Sequence, residues 1–154
     1  MRSRATLLLG TCLSARQFVV AYAASGLAML ALDAMWLTLM ADRLYRAAIG
    51  HLMAEHFDVL PAMAFYAVYL TGVVLFAVAP GLDQRRWQVA MFRGAMFGLV
   101  AYATYDLTNQ ATLARWAWRV TFVDLAWGTC LTAIAAAAGC GAAMKWGRPR
   151  AAGL

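Results

Sequence analysis

Charge is scarce in this chain: only 13% of its 154 residues are Asp, Glu, Lys or Arg, where soluble domains carry about 25%. Proline is scarce too, with three in the whole chain, and so is cysteine, also three. A sequence so poor in charge does not read as a soluble globular domain. Cys130 and Cys140 share one predicted helix and lie about 15 Å apart by helical rise, too far for a disulfide, and with Cys12 they form no disulfide framework or thiol metal site. What fills the chain instead is apolar: 64% of residues are hydrophobic and the mean hydropathy is +0.66. The composition is that of an all-α polytopic membrane protein with the lipid bilayer as its solvent. At this length there is room for one domain and few spans, since each span takes about 20 apolar residues.

Four apolar runs are long enough to be transmembrane helices, at about residues 17–41, 61–80, 88–110 and 118–143. Pro61 suits the first turn of the second run and Pro80 suits its end. The second and third runs, and the third and fourth, are joined by short links, which favour antiparallel neighbours and hence an up-down four-helix bundle. Residues 1–16 form a basic N-terminal tail, expected to be disordered, and 144–154 a basic C-terminal tail. Within the former, the apolar run LLLG is too short for a cleaved leader ending at Cys12. The link at 42–60 is amphiphilic, and Leu44, Ile49, Leu52 and Met53 would form the apolar side of a short helix lying at the interface.

The net charge of +6 would raise nucleic acid as a partner in a soluble protein. Here the basic residues sit at the edges of apolar runs, so they read as orientation signals and not as a nucleic-acid surface. With both termini cytoplasmic, the inner flanks hold Arg2, Arg4, Arg16, Arg85, Arg86, Lys145, Arg148 and Arg150, eight in all, against four outside, Arg43, Arg46, Arg115 and Arg119. The positive-inside rule thus favours the bacterial inner membrane with N-in and C-in termini. Trp87 and Trp146 mark the inner interface, Trp116 and Trp118 the outer one. Arg93, in the inner part of the third span, snorkels toward the cytoplasmic headgroups, where an anionic lipid is a candidate contact.

Against this apolar background three acids stand out. Asp33, Asp106 and Asp124 lie inside the first, third and fourth runs, where an acid at mid-membrane costs roughly 2.5–3.5 kcal/mol on insertion scales. Counting about 1.5 Å per residue, all three fall roughly 5–12 Å below the external interface, at the level of Tyr66 and Tyr69 in the second span. Helical periodicity groups each acid with other polar or small residues: Tyr102, Tyr105, Asp106 and Asn109; Thr121, Asp124, Gly128 and Thr132; Gly26, Met29, Asp33 and Trp36. Gly94 and Gly98 form a G-x-x-x-G pair on the third span that allows close helix approach, and Gly128 does the same on the fourth. Neighbouring carboxylates in low dielectric cannot all ionise cheaply. They must hold protons, pair with Arg43, Arg46, Arg115 or Arg119, or hold a cation. Tyr66, Tyr69, Tyr105, Thr108 and Asn109 are the candidate hydrogen-bond donors.

His51, Glu55, His56 and Asp58 match no strong metal motif. The sequence calls for neither metal nor cofactor. The tracts LDAMWL (32–37), IGHL (49–52), FYAVYLTGVVLFAV (65–78), GAMFGLVAYATYDLTNQATL (94–113) and VDLAWGT (123–129) resemble a family of small bacterial predicted membrane proteins catalogued as a domain of unknown function, over about residues 17–140. The resemblance implies four membrane spans and carries no activity and no catalytic residue. Three functions remain in view: a protein binding a small molecule, lipid or cation through Asp33, Asp106, Asp124, Tyr66, Tyr69, Tyr105, Asn109 and Trp36, as a component of proton-coupled transport in a homodimer; a membrane enzyme acting on lipid with an Asp as general acid or base; or an accessory subunit in which the acids are interhelical glue.

Overall fold

Four long helices account for nearly all of the fold in a computed structural model that describes residues 13–147. They are α1 (Ala15–Leu52) and α2 (Val59–Asp83), α3 (Trp87–Thr112) and α4 (Trp118–Trp146). No strand occurs among the described residues. Most of the two terminal tails lies outside them, including Cys12, Arg2, Arg4, Arg148 and Arg150.

Local chemistry sets where the helices begin. Ser14 and Gln17 form a capping box: the Gln17 amide donates to Ser14 Oγ at 3.2 Å, and the Ser14 amide to Gln17 Oε1 at 3.1 Å. The helix therefore starts at Ala15, two residues before the apolar run. The Asp58 side chain accepts from the Leu60 amide at 3.0 Å and caps α2, so Pro61 sits in the first turn, where its missing N–H leaves nothing unpaired.

Two of the sequence expectations need correction. The first helix does not stop at Ala41. It runs on through a π-helical turn, Ala41–Arg46, and short helical segments to Leu52. Leu44 and Ile49 of this extension are buried against Trp116 and Val120, while Leu52 and Met53 are 40% and 44% exposed. The extension thus packs on the bundle end with two of its four apolar residues, and Trp116 is buried in that small core. Pro80, likewise, does not end α2. A second π-helical turn, Val73–Val78, precedes it, and the widened turn relieves the clash a proline ring makes with the carbonyl four residues back. The helix continues to Asp83.

The central helix is α4. Val120, Thr121, Asp124, Gly128, Leu131, Thr132, Ala135, Ala136, Gly139, Cys140 and Ala143 are all buried along it. It packs mainly against α3 on one side and α1 on the other, with the second half of α2 against α3 and α4. Small residues set these approaches. A Cβ added at Gly94 would sit 2.7 Å from both Ala136 Cβ and the Thr132 carbonyl oxygen, and one at Gly98 would sit 2.6 Å from Thr132 Oγ1. Between α1 and α4, Ser25 Oγ donates to the Ala135 carbonyl at 3.0 Å. The links 84–86 and 113–117 each turn through an arginine in the left-handed region, Arg85 (φ 53°) and Arg115 (φ 62°).

The outside of the bundle is apolar. Leu27 (70% exposed), Val68 (74%), Phe92 (67%) and Phe122 (65%) show that every helix presents large hydrophobic side chains outward, the inverse of what water selects. Three helices, α1, α2 and α4, are long and apolar enough to cross a membrane. α3 is as long as a span, but Arg93, Asp106, Asn109 and Gln110 lower its apolar content.

Candidate functional site

Asp33, Asp106 and Asp124 come from three different helices, α1, α3 and α4; Asp106 and Asp124 interact electrostatically, and Asp33 is joined to α4 through Trp127. Each is held differently.

Asp33 is half-buried and accepts two bonds. Tyr66 of α2 donates its hydroxyl to Oδ2 at 2.8 Å, and Trp127 of α4 donates its indole N–H to Oδ1 at 3.4 Å. Asp124 is 7% exposed, and its Oδ1 accepts from the Tyr45 hydroxyl at 2.5 Å. Tyr45 in turn accepts from Trp36 Nε1 at 2.9 Å. The π turn at Ala41–Arg46 is what brings Tyr45 back toward α4. Asp106 is wholly buried, and neither carboxyl oxygen has a hydrogen-bond partner. Asp124 lies within electrostatic reach of it.

The other residues read from the sequence divide. Trp36 is half-buried in the network, stacked on Trp127. The Tyr69 hydroxyl is directed to Thr132 Oγ1 at 2.8 Å and not to an acid, because Thr132 spends its own proton on the Gly128 carbonyl, 2.6 Å away. Tyr105 is 59% exposed and stands edge-on to Trp116. Thr108 turns away and donates to backbone carbonyls of its own helix. Gly94, Gly98 and Gly128 are buried at the α3–α4 contact, with the Tyr102 ring against Gly128.

Among the described residues no arginine forms a salt bridge with the three acids. Arg46 pairs with Asp42 at 3.3 Å on the exposed side of α1, and Arg43, Arg115 and Arg119 are exposed. His51 at the end of α1 and Glu55 and His56 on the first link stand exposed, while Asp58 caps α2. Among the described residues no group of three or more His, Cys, Asp or Glu side chains is placed to hold a metal ion.

Beside Asp124 is a cavity of about 300 Å³ lined by Phe65, Tyr69, Ala101, Tyr102, Tyr105 and Asp124. Next to it, an apolar groove of about 620 Å³ runs along α2 and α3 past Val68, Leu75, Phe76 and Phe97. Phe65 and Tyr69 line both.

Tyr45 and Trp127 were not among the residues singled out from sequence. Trp127 had a signal: it follows Asp124 by three residues and so lies on the same side of α4. Tyr45 had none, since its segment reads as an amphiphilic link whose apolar side is Leu44, Ile49, Leu52 and Met53.

An all-helical chain with an apolar exterior, helices of membrane-crossing length and carboxyl groups sealed among its helices is a membrane protein. It belongs to the family described as Predicted membrane protein (DUF2177), whose model matches residues 18–141, a family of unknown function. Comparison with curated proteins and with solved structures gives no match.

Proposed function

We propose that this chain is a multi-pass protein of the bacterial inner membrane, with α1 to α4 all crossing and both termini cytoplasmic, whose acidic and aromatic pocket near the outer face binds a small molecule, lipid or cation. α3 crosses with the others because its polar residues are those turned to the bundle interior or the membrane edges: Asp106 is sealed inside, and Arg93 lies within snorkelling distance of the inner headgroups. Where the ligand is moved and not merely held, four helices leave too narrow a path for it, and a homodimer supplies the route, with the carboxyl groups exchanging protons for the ligand.

The observation that carries this reading is Asp106. A carboxyl group placed only to tie helices together would have its oxygens satisfied, as Asp33 does through Tyr66 and Trp127. Asp106 is 0% exposed with both oxygens unpartnered, at a cost of about 1–3 kcal/mol for a buried polar group and more for a charged one. Such a cost is retained where the group has work to do. The interhelical-glue reading is favoured for Asp33 and not for Asp106.

The test is mass spectrometry of the purified full-length protein for co-purifying lipid or small molecule, with Asp106→Asn beside it. The native protein is expected to carry a bound species that Asp106→Asn, folded and with unchanged helix content, loses. A native protein without any bound species, or an Asp106→Asn variant that keeps it, overturns the proposal. An Asp106→Asn variant that cannot be folded at all assigns the residue to structure.

A further inference from the structure

We infer that the ligand is an amphiphilic cation, an ammonium group borne on a hydrocarbon chain, with the ammonium in the aromatic cavity beside Asp124 and the chain in the groove between α2 and α3. The inference rests on the binding reading above and names the ligand class for that site.

Four aromatic rings, Phe65, Tyr69, Tyr102 and Tyr105, and one carboxylate line a cavity of about 300 Å³. Aromatic faces attract cations through the ring quadrupole, and several rings around one carboxylate are the chemistry that recognises ammonium groups. The Tyr69 hydroxyl is taken by Thr132, so that residue offers its ring and not its hydroxyl to the cavity. On Asp124, Oδ1 is taken by Tyr45, while Oδ2 has no protein partner and is not among the sealed atoms. Among the described residues no arginine forms a salt bridge with Asp124 to offset its charge. A cation is therefore the charge this cavity accepts, and an anion is the one it rejects.

The groove sets the rest of the molecule. It is lined almost wholly by apolar side chains and joins the cavity at Phe65 and Tyr69. From Phe65 to Phe76 it follows α2 for roughly 16 Å by helical rise, away from the bundle end that holds the acids. Phe65 (48% exposed) and Phe76 (51%) lie at its surface, so a chain enters sideways from the lipid. An ammonium-headed phospholipid and a free long-chain amine share this chemistry.

The experiment uses purified full-length protein in a mild nonionic detergent. Binding of decylamine, decyltrimethylammonium, decanol and decyl sulfate is measured by calorimetry below their micellar concentrations. Retention of phosphatidylethanolamine against phosphatidylglycerol is measured by native mass spectrometry. Both decyl cations are expected to bind at least tenfold more tightly than decanol, with decyl sulfate weakest. Asp124→Asn is expected to remove that preference. The double variant Phe65→Leu, Tyr105→Leu, which changes only exposed cavity walls, is expected to weaken cation binding about tenfold, and Met63→Ala, on the outer side of α2, to leave it unchanged. Retention of phosphatidylethanolamine identifies a lipid headgroup as the source, and co-purification of a long-chain amine in its place identifies a free amine. Equal binding of cation, alcohol and sulfate, or cation binding indifferent to the double variant, overturns the inference. A native protein that retains a neutral or anionic species overturns this ligand class and leaves the binding function standing; retention of nothing overturns both.

Discussion

Trp36 lies flat on Trp127, ring centroids 4.3 Å apart and planes 9° apart, and the two indole N–H groups serve different carboxyl groups. Trp127 donates to Asp33, and Trp36 donates to Tyr45, which donates to Asp124. The stack thus fastens two polar chains, one reaching α2 through Tyr66 and the other closing on α4, into a single assembly across α1 and α4. Polar bonds of this kind substitute for the hydrophobic force that lipid does not supply between helices.

Tyr45→Phe is expected to destabilise the protein more than Tyr66→Phe. Tyr45 is the donor to a carboxyl that is 7% exposed and the acceptor of Trp36, so its hydroxyl satisfies two partners, and leaving them unpaired costs about 1–3 kcal/mol. Asp33 is half-buried and keeps the Trp127 N–H when Tyr66 is removed. Thermal unfolding in detergent orders the two variants, and equal midpoints would show that Tyr45 does not hold the π turn to α4.

Much of this assembly was legible in the sequence because it rests on helical period. Thr121, Asp124, Gly128 and Thr132 fall on one face at 3.6 residues per turn, and all four are buried. Gly94 and Gly98 announce a close approach by spacing alone. The two π turns were not legible. A π turn inserts one residue into an α-helix, and neither ADRLYR nor VVLFAV carries a compositional sign of it. One brings Tyr45 to Asp124 from a segment read as a link, and the other lets α2 continue through Pro80. Nor could spacing reveal that Asp106 has no donor, since that depends on how Tyr69, Tyr105 and Thr108 direct their hydroxyls.

Glycine-to-alanine substitutions are expected to separate by location. At Gly98 an added methyl meets Thr132 Oγ1 at 2.6 Å and Cβ at 2.8 Å, so α3 and α4 must part, at a cost of about 1–3 kcal/mol for overpacking. Gly94→Ala, facing backbone and Ala136 at 2.7 Å, is expected to behave alike. At Gly141 nothing lies within 4 Å, and alanine there is expected to be neutral or to stabilise by up to about 1 kcal/mol through helix propensity. Melting temperatures of the three variants check this, and a stabilising Gly98→Ala would refute the close packing of α3 on α4.

Asp106→Ala and Asp124→Ala are expected to move stability in opposite directions. Removing Asp106 deletes two unpartnered oxygens and strands no donor, so the variant should be neutral or more stable by about 1 kcal/mol. Removing Asp124 strands the Tyr45 hydroxyl and should cost about 1–3 kcal/mol. Both are expected to lose the bound species. Unfolding midpoints and ligand retention, read on the same preparations, check the pair. A strongly destabilised Asp106→Ala would mean that the carboxyl has a stabilising role that its geometry does not display.

Topology is open to direct measurement at the two ends of α3, the helix with the lowest apolar content. Arg86 precedes it and Leu113 follows it, and both are exposed. Single cysteines, R86C and L113C, in a chain whose own cysteines are replaced by serine at Cys12, Cys130 and Cys140, would report the side of the membrane each occupies. With α3 spanning, a membrane-impermeant maleimide added to intact spheroplasts is expected to label L113C and to reach R86C only after lysis. The Lys and Arg distribution demands that order, because Arg85 and Arg86 lie on the positive side. Labelling of both positions from outside would place α3 along the surface. Asp106 could then not be enclosed as the bundle encloses it, and the pocket reading would fall with the fourth span.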